Sequence, residues 1–194
     1  MPIIDHFNII APIYNKLFGS SSNIVQWQQL LKLPANGILL DAGGGTGRVS
    51  KHLESHIDQI ILMDESKGML QQVYSKTRLQ PICSEIEAIP LHSQSIDRII
   101  VVDAFHHLKN QEVALREIWR ILKHDGILLI EEPDIRQFGV KVLALIEKLL
   151  LMRSHFVPPG YFQKYFSNYS ATIEIQEKGS TVWVAIQKCK NVKE

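Results

Sequence analysis

Residues 39–48 read LLDAGGGTGR and hold the chain's densest run of chemistry-capable positions. An apolar run, Ile38-Leu39-Leu40, ends in Asp41. Gly43, Gly45 and Gly47 follow at alternate positions, and a helix-compatible stretch starts near Thr46. This reads as strand, tight glycine loop, helix. Glycine reaches positive φ cheaply and lacks a Cβ, so a ligand can approach the backbone closely. The loop runs into a helix N-terminus, whose free N–H groups favour electron-rich ligand groups. A dinucleotide loop wants G-x-G-x-x-G/A. Counting from Gly43 puts Arg48 last; counting from Gly45 puts Ser50 last, a loose match. A Walker loop needs Gly-Lys, which does not follow. What stands here is D-x-G-x-G-x-G, and a glycine turn without a ligand shares that signature.

Further along, Asp64 ends the run Ile60-Ile61-Leu62-Met63. It sits about 20 residues past the loop, where nucleotide sites place a carboxylate for ribose hydroxyls. A surface acid at a strand end is the competing reading. The stretch Arg98 to Val102 delivers Asp103-Ala104-Phe105-His106-His107 at its C-terminal end. In open α/β sheets that edge is where ligands sit. An imidazole of His106 or His107 there could orient an acceptor hydroxyl or take its proton. Turn histidines bonding backbone are the bland alternative. Adjacent histidines in a turn seldom converge on one ion, and no supporting Asp, Glu or Cys spacing lies nearby, so no metal is expected.

The elements that position these residues alternate. Strands are expected at 37–41, 59–63, 80–83, 97–102 and 126–131, and helices at 47–57, 66–77, 109–123 and 137–153. The helix at 109–123 is the clearest, with Leu115, Ile118, Trp119 and Leu122 at i, i+3, i+4, i+7. Such alternation implies right-handed crossovers and a mainly parallel sheet. Residues 170–177 and 181–188 flank Glu177-Lys178-Gly179-Ser180 and read as a hairpin. The 194 residues, 45% apolar with a net charge of +1, suit one globular domain. Without a basic excess, nucleic acid is not the expected partner. Two lone cysteines suggest a reducing cytoplasm. The apolar stretch from Val142 to Met152 is broken by Glu147 and Lys148, which argues against stable membrane insertion.

The glycine motif resembles the first motif of the class I methyltransferases that use S-adenosylmethionine. Two later segments carry the same resemblance. Ser84-Glu85-Ile86-Glu87-Ala88-Ile89-Pro90 has Glu85 where Asp is commoner. Residues 116–134, REIWRILKHDGILLIEEPD, show Lys123-His124-Asp125-Gly126 in place of Lys-Pro-Gly-Gly, with Gly126 expected to keep the turn. The N-terminal HFNIIAPIYNKLFG, residues 6–19, is similar to the start of ubiquinone/menaquinone biosynthesis methyltransferases and their small-molecule relatives, with Asn15 where Asp is usual. The resemblance covers about residues 6–134. It implies a Rossmann-like α/β fold: a mainly parallel seven-stranded sheet, a C-terminal antiparallel hairpin and helices on both faces.

The resemblance also implies a cofactor, S-adenosylmethionine, with S-adenosylhomocysteine as product. Asp41, Ala42, Gly43, Gly45 and Gly47 would surround it. Asp64 would take both ribose hydroxyls. Met69 would pack near the adenine, although helix core suits it equally. Glu85 would accept from the adenine amino group, the Ile86 backbone would meet the ring, and the turn from Asp103 to His107 would serve the methionine end. Tyr14 and Phe18 would cap the cofactor, or simply pack their helix. The expected reaction is in-line methyl transfer to a small apolar or aromatic acceptor. A non-catalytic cofactor-binding protein and a nicotinamide oxidoreductase are the other readings. One domain, 1–194, is expected, with cap helices in 1–30 and a lid in 135–160. Within it, the 137–156 helix could close the site, pack as core, form a homodimer or touch a membrane surface. Glu131-Glu132-Pro133-Asp134 would either face the acceptor or form an exposed acidic loop.

Overall fold

In a computed structural model, the structure describes residues 23–73, 78–149 and 154–190; Tyr14 and Phe18 lie outside these residues. The expected strands form at Ile38–Ala42 (β1), Gln59–Asp64 (β2), Leu79–Cys83 (β3), Ile96–Val102 (β4) and Leu122–Pro133 (β5). Ala171–Lys178 (β6) and Thr181–Lys188 (β7) make the hairpin. The sheet order is β3-β2-β1-β4-β5-β7-β6. β1 to β5 pair in parallel, while β7 pairs antiparallel with both β5 and β6.

The helices are α1 (Ile24–Leu30), α2 (Ser50–Leu53), α3 (Lys67–Leu70), α4 (Gln111–Ile121), α5 (Phe138–Leu149) and α6 (Gly160–Tyr165). They cover both faces of the sheet. Side chains alternate along each strand, so each strand feeds two cores. Leu40, Ile61, Ile99 and Leu128 pack on one side with Ala114, Leu115 and Ile118 of α4 and Phe162 of α6. Leu39, Ile60, Ile100 and Leu129 pack on the other with Trp27, Leu30 and Leu53. This double burial explains why β1, β2 and β4 read as continuous apolar runs rather than alternating ones.

The helices are shorter than their apolar periodicity suggests. The 47–57 expectation reduces to the four residues of α2. Bonds of the i→i−3 kind, His52 N–H to Val49 O and His56 N–H to Leu53 O, tighten the turns around it. The 66–77 expectation reduces to α3, with 74–77 outside the described residues. α4 starts where the Asn110 side chain accepts the Val113 N–H at 3.1 Å. It stops because Lys188 Nζ donates to Trp119 O and Leu122 O, taking the last carbonyls. The chain then enters β5 at Leu122, four residues earlier than expected. The positive φ in that segment belongs to Asp125, at +61°, so Gly126 does not make the turn.

The acids at the end of β5 also differ from expectation. Glu131, Glu132 and Asp134 are all buried, at 4, 5 and 2% exposure, so they form no exposed loop. Asp134 is paired with Arg136 through both oxygens. Glu131 points into the core, where Oε2 accepts the indole N–H groups of Trp27 and Trp183, each at 2.5 Å. Its Oε1 accepts from Asn23 Nδ2 at 2.8 Å. Three donors from α1 and β7 thus meet one carboxylate. Glu131→Ala is expected to destabilise the fold by about 3 kcal/mol or more, because it strands buried donors and leaves a cavity. Urea unfolding followed by tryptophan emission measures this; a loss below about 1 kcal/mol would refute the anchoring role.

Candidate functional site

The C-terminal ends of β1, β2 and β4 open onto a cleft of about 710 Å³ that is continuous with solvent. Eight of the expected residues line it: Gly43, Gly45, Asp64, Met69, Glu85, Ile86, Asp103 and His107. Asp41, Ala42, Gly47 and His106 are not in its wall. Asp41 instead borders a smaller space of about 290 Å³ lined also by Gly43 to Gly45, Arg48 and Val49.

The loop is fixed by β2. Gly43 N–H and Gly44 N–H both donate to Met63 O, at 2.8 and 3.1 Å. Asp64, the next residue, accepts the Gly45 N–H at Oδ2 and the Ser66 N–H at Oδ1, both at 2.8 Å. Gly43 has φ +74°, and a Cβ there would lie 2.6 Å from the Ala104 Cβ. Gly44 has no such φ, but its Cβ would lie 2.2 Å from Leu62 Cδ1 and 2.7 Å from Asp41 Cγ. The spacing argument passed over Gly44 because only the alternate glycines belong to the motif. Its signal is the unbroken Gly-Gly-Gly.

Two carboxyl groups near the loop are held well above their ordinary range. Asp41 is raised to about 6, chiefly by burial, with the Asp64 charge adding to it. The Ser50 hydroxyl, donating to Oδ2 at 2.6 Å, and Arg48 oppose the rise. Asp103 is also raised to about 6, by burial first and then by Glu131 and Glu132, with Arg48 and His106 opposing. Asp103 adopts φ +51°, a conformation uncommon for a non-glycine residue and often found at binding sites.

At the other end of the cleft, Glu85 is exposed and Ile86 is buried in the short turn Ile86–Ala88. Lys109 Nζ bridges Glu85 Oε1 at 2.6 Å and Glu65 Oε2 at 3.1 Å, and these two acids hold its pKa up. No sequence motif marked Lys109 or Glu65. Met69 is 2% exposed, so it serves the core and the cleft wall together.

The two histidines part company. His107 faces the cleft, with Ser154 Oγ 3.4 Å from its Nδ1. His106 is buried, with Nδ1 in hydrogen-bonding contact with Glu132 Oε2. Among the described residues, no group of three His, Cys, Asp or Glu side chains is arranged to hold a metal ion. Among the same residues, no helix is long and apolar enough to cross a membrane.

Residues 40–130 match the family described as Methyltransferase domain. A malonyl-[acyl-carrier protein] O-methyltransferase of Methylovorus sp. is 33% identical over 119 residues, covering 54% of this chain and 40% of that protein. The ubiquinone/menaquinone biosynthesis C-methyltransferase UbiE of Campylobacter jejuni is 30% identical over 157 residues, covering 71% and 66%. In structure, one chain of a Haloferax volcanii complex between the Trm112 methyltransferase activator and a methyltransferase superposes with TM-score 0.83 at 14% identity, covering 97% and 100%. Together with the sheet order and the glycine site, these matches place the chain in the class I S-adenosylmethionine-dependent methyltransferases. Within that class it is similar to the ubiquinone/menaquinone-type enzymes. The chain spans less than half the length of the first curated relatives it matches.

The Asp41 shift fixes a pH dependence. Its folded value of about 6 lies above the ordinary 3.8, so the folded state holds the proton more tightly. The stabilising effect is complete below about pH 4 and is lost as pH rises to about 6, an effect of about 3 kcal/mol. Asp41→Asn keeps an acceptor for Ser50 but carries no charge. Relative to wild type it is expected to gain stability from pH 4 to 7, measured by urea unfolding across that range. A constant difference between the two proteins across that range would refute the assignment.

Proposed function

We propose that this chain transfers a methyl group from S-adenosylmethionine to a small apolar or aromatic acceptor by in-line displacement. The observation that carries the reading is the meeting of the Gly45 N–H and the Asp64 carboxylate at the cleft, between an end formed by Glu85 and Ile86 and an end formed by Asp103 and His107. Gly43 and Gly44 let the loop pack directly on Ala104, Leu62 and Asp41, which leaves its backbone at the cleft without side chains of its own at these positions. When bound, the cofactor supplies an already activated, electrophilic methyl group.

The chain's own residues do the rest. Asp64 holds the ribose hydroxyls through its carboxylate. Glu85 accepts from the adenine amino group, with Lys109 fixing that carboxylate, and Ile86 and Met69 flank the ring. Asp41, Ala42 and Gly47 shape the loop from below, and Asp103 serves the methionine end. His107 borders the acceptor side, where its imidazole orients an acceptor hydroxyl or takes its proton. The enzyme then needs to hold the nucleophile about 3–3.5 Å from the methyl carbon and exclude water.

We take 1–194 as one domain in which residues 1–30, Tyr14 among them, cap the cofactor and 135–160 form a lid over the acceptor. Phe138 and Leu145 of α5 are 80 and 58% exposed, which supports a role beyond core packing, in closure or in a homodimer. The net charge of +1 supports small-molecule rather than nucleic-acid partners, and the free cysteines support a cytoplasmic setting.

Calorimetry tests the reading. Wild-type protein is expected to bind S-adenosylmethionine with micromolar affinity, and Asp64→Ala to weaken it at least about tenfold, or about 1.4 kcal/mol. Unchanged affinity in Asp64→Ala would sink the role of that carboxylate. S-adenosylhomocysteine is expected to raise the melting temperature while NAD does not, since a ligand stabilises the state that binds it. Turnover against a panel of small phenols, acids and amines then identifies the acceptor.

A further inference from the structure

His107 lies in the cleft wall, while the residues that hold its neighbour His106, Glu132 above all, do not. Glu132, 5% exposed at the end of β5, contacts the 104–107 turn twice. Its Oε1 accepts the Phe105 N–H at 2.9 Å, and its Oε2 meets His106 Nδ1. If Glu132 is a carboxylate it accepts in both contacts, a role that puts the ring proton on Nδ1 and leaves Nε2 on the side of the ring away from Glu132. The His106 ring in turn lies 4.0 Å from the His107 ring, centroid to centroid, at 48°. On its other side Phe156 stacks on it at 4.2 Å and 13°.

The segment carrying Phe156 is fastened to the same turn. His155 N–H donates to His106 O at 2.6 Å. Gln111 Nε2 donates to both Phe105 O, at 3.2 Å, and His155 O, at 2.7 Å. Ser154 Oγ reaches His107 Nδ1. Other ionisable groups among the described residues also act on this place: Asp103, whose carboxyl feels His106, Glu131, Glu132 and Arg48, and His155 on the incoming segment.

We propose that Glu132 is a positioning residue: through His106 it sets the orientation and protonation of His107, and the 154–156 segment completes that setting when it packs on the turn. Glu132 is buried and does not line the cleft. It acts by fixing one ring, against which the cleft-facing ring rests. The chain of contacts also joins residues 154–156 to the turn that carries His107. The functional meaning of His107 rests on the methyl-transfer reading; the coupling between the three residues does not.

The experiment is a pH titration of the histidine ring nitrogens by NMR in wild type and Glu132→Gln, with S-adenosylhomocysteine binding measured in parallel. The Gln amide can still accept the Phe105 N–H, but its other atom donates, so His106 must yield its Nδ1 proton or turn. The His107 titration midpoint is expected to move by about half a pH unit or more in folded Glu132→Gln, with binding weakened about threefold. A purely structural Glu132 would alter the melting temperature and leave the His107 titration superimposed on wild type; that result overturns the proposal. If Glu132→Gln does not fold, His106→Asn breaks the next link and is read the same way. Loss of the folded state in both variants assigns the pair to the core and also overturns it. Wild-type protein that binds no S-adenosylhomocysteine refutes the methyl-donor reading, while the His107 titration still decides the coupling.

Discussion

One carbonyl organises the site. Met63 O receives the N–H groups of both Gly43 and Gly44, and the carboxylate of the following residue receives that of Gly45. Backbone donors in a tight loop must find partners or face water. Here the end of β2 satisfies three in a row, holding the loop against the neighbouring strand. The room beneath the loop is then so small that Gly44 admits no side chain. Asp41 is sealed below it, and the cleft opens above. The parallel sheet matters because its register brings Met63 opposite Ala42, one residue before the loop begins.

The legible part of the chain was the part set by local rules. The strands of a doubly buried sheet are short apolar runs, and β1, β2 and β4 were visible as such. The hairpin was visible from its turn residues. The cleft wall followed from the ends of those strands, since ligand groups in an open sheet collect at the carboxyl edge. Helix length was not legible. α2 and α3 shrink to single turns because loop geometry and i→i−3 bonding override an apolar periodicity. The end of α4 was hidden too, as Lys188, 66 residues beyond Leu122, terminates it.

The acids of β5 show the same limit. Glu131, Glu132 and Asp134 read as a run of charge, yet each is buried with different partners. Alternation sends Glu131 to the indoles on one face and Glu132 to His106 on the other. Burying a carboxylate is costly unless donors surround it. Those donors come from residues 23, 27, 105 and 183 and could be found only once the fold was known. The adjacent histidines split for a similar reason: successive residues of a short helical turn point in different directions, one inward and one into the cleft.

Glu131 has a consequence for how the chain matures. Its partners lie 108 and 104 residues before it and 52 after it. On a ribosome, α1 emerges early and must wait for a carboxylate made more than a hundred residues later. That carboxylate in turn waits for the last strand. α1 and the β6–β7 hairpin therefore become native together, once β7 has been made. Contacts of such long sequence separation are slow to form and leave apolar surface open meanwhile. Until then Trp27 stays part of the apolar surface that a chaperone can bind.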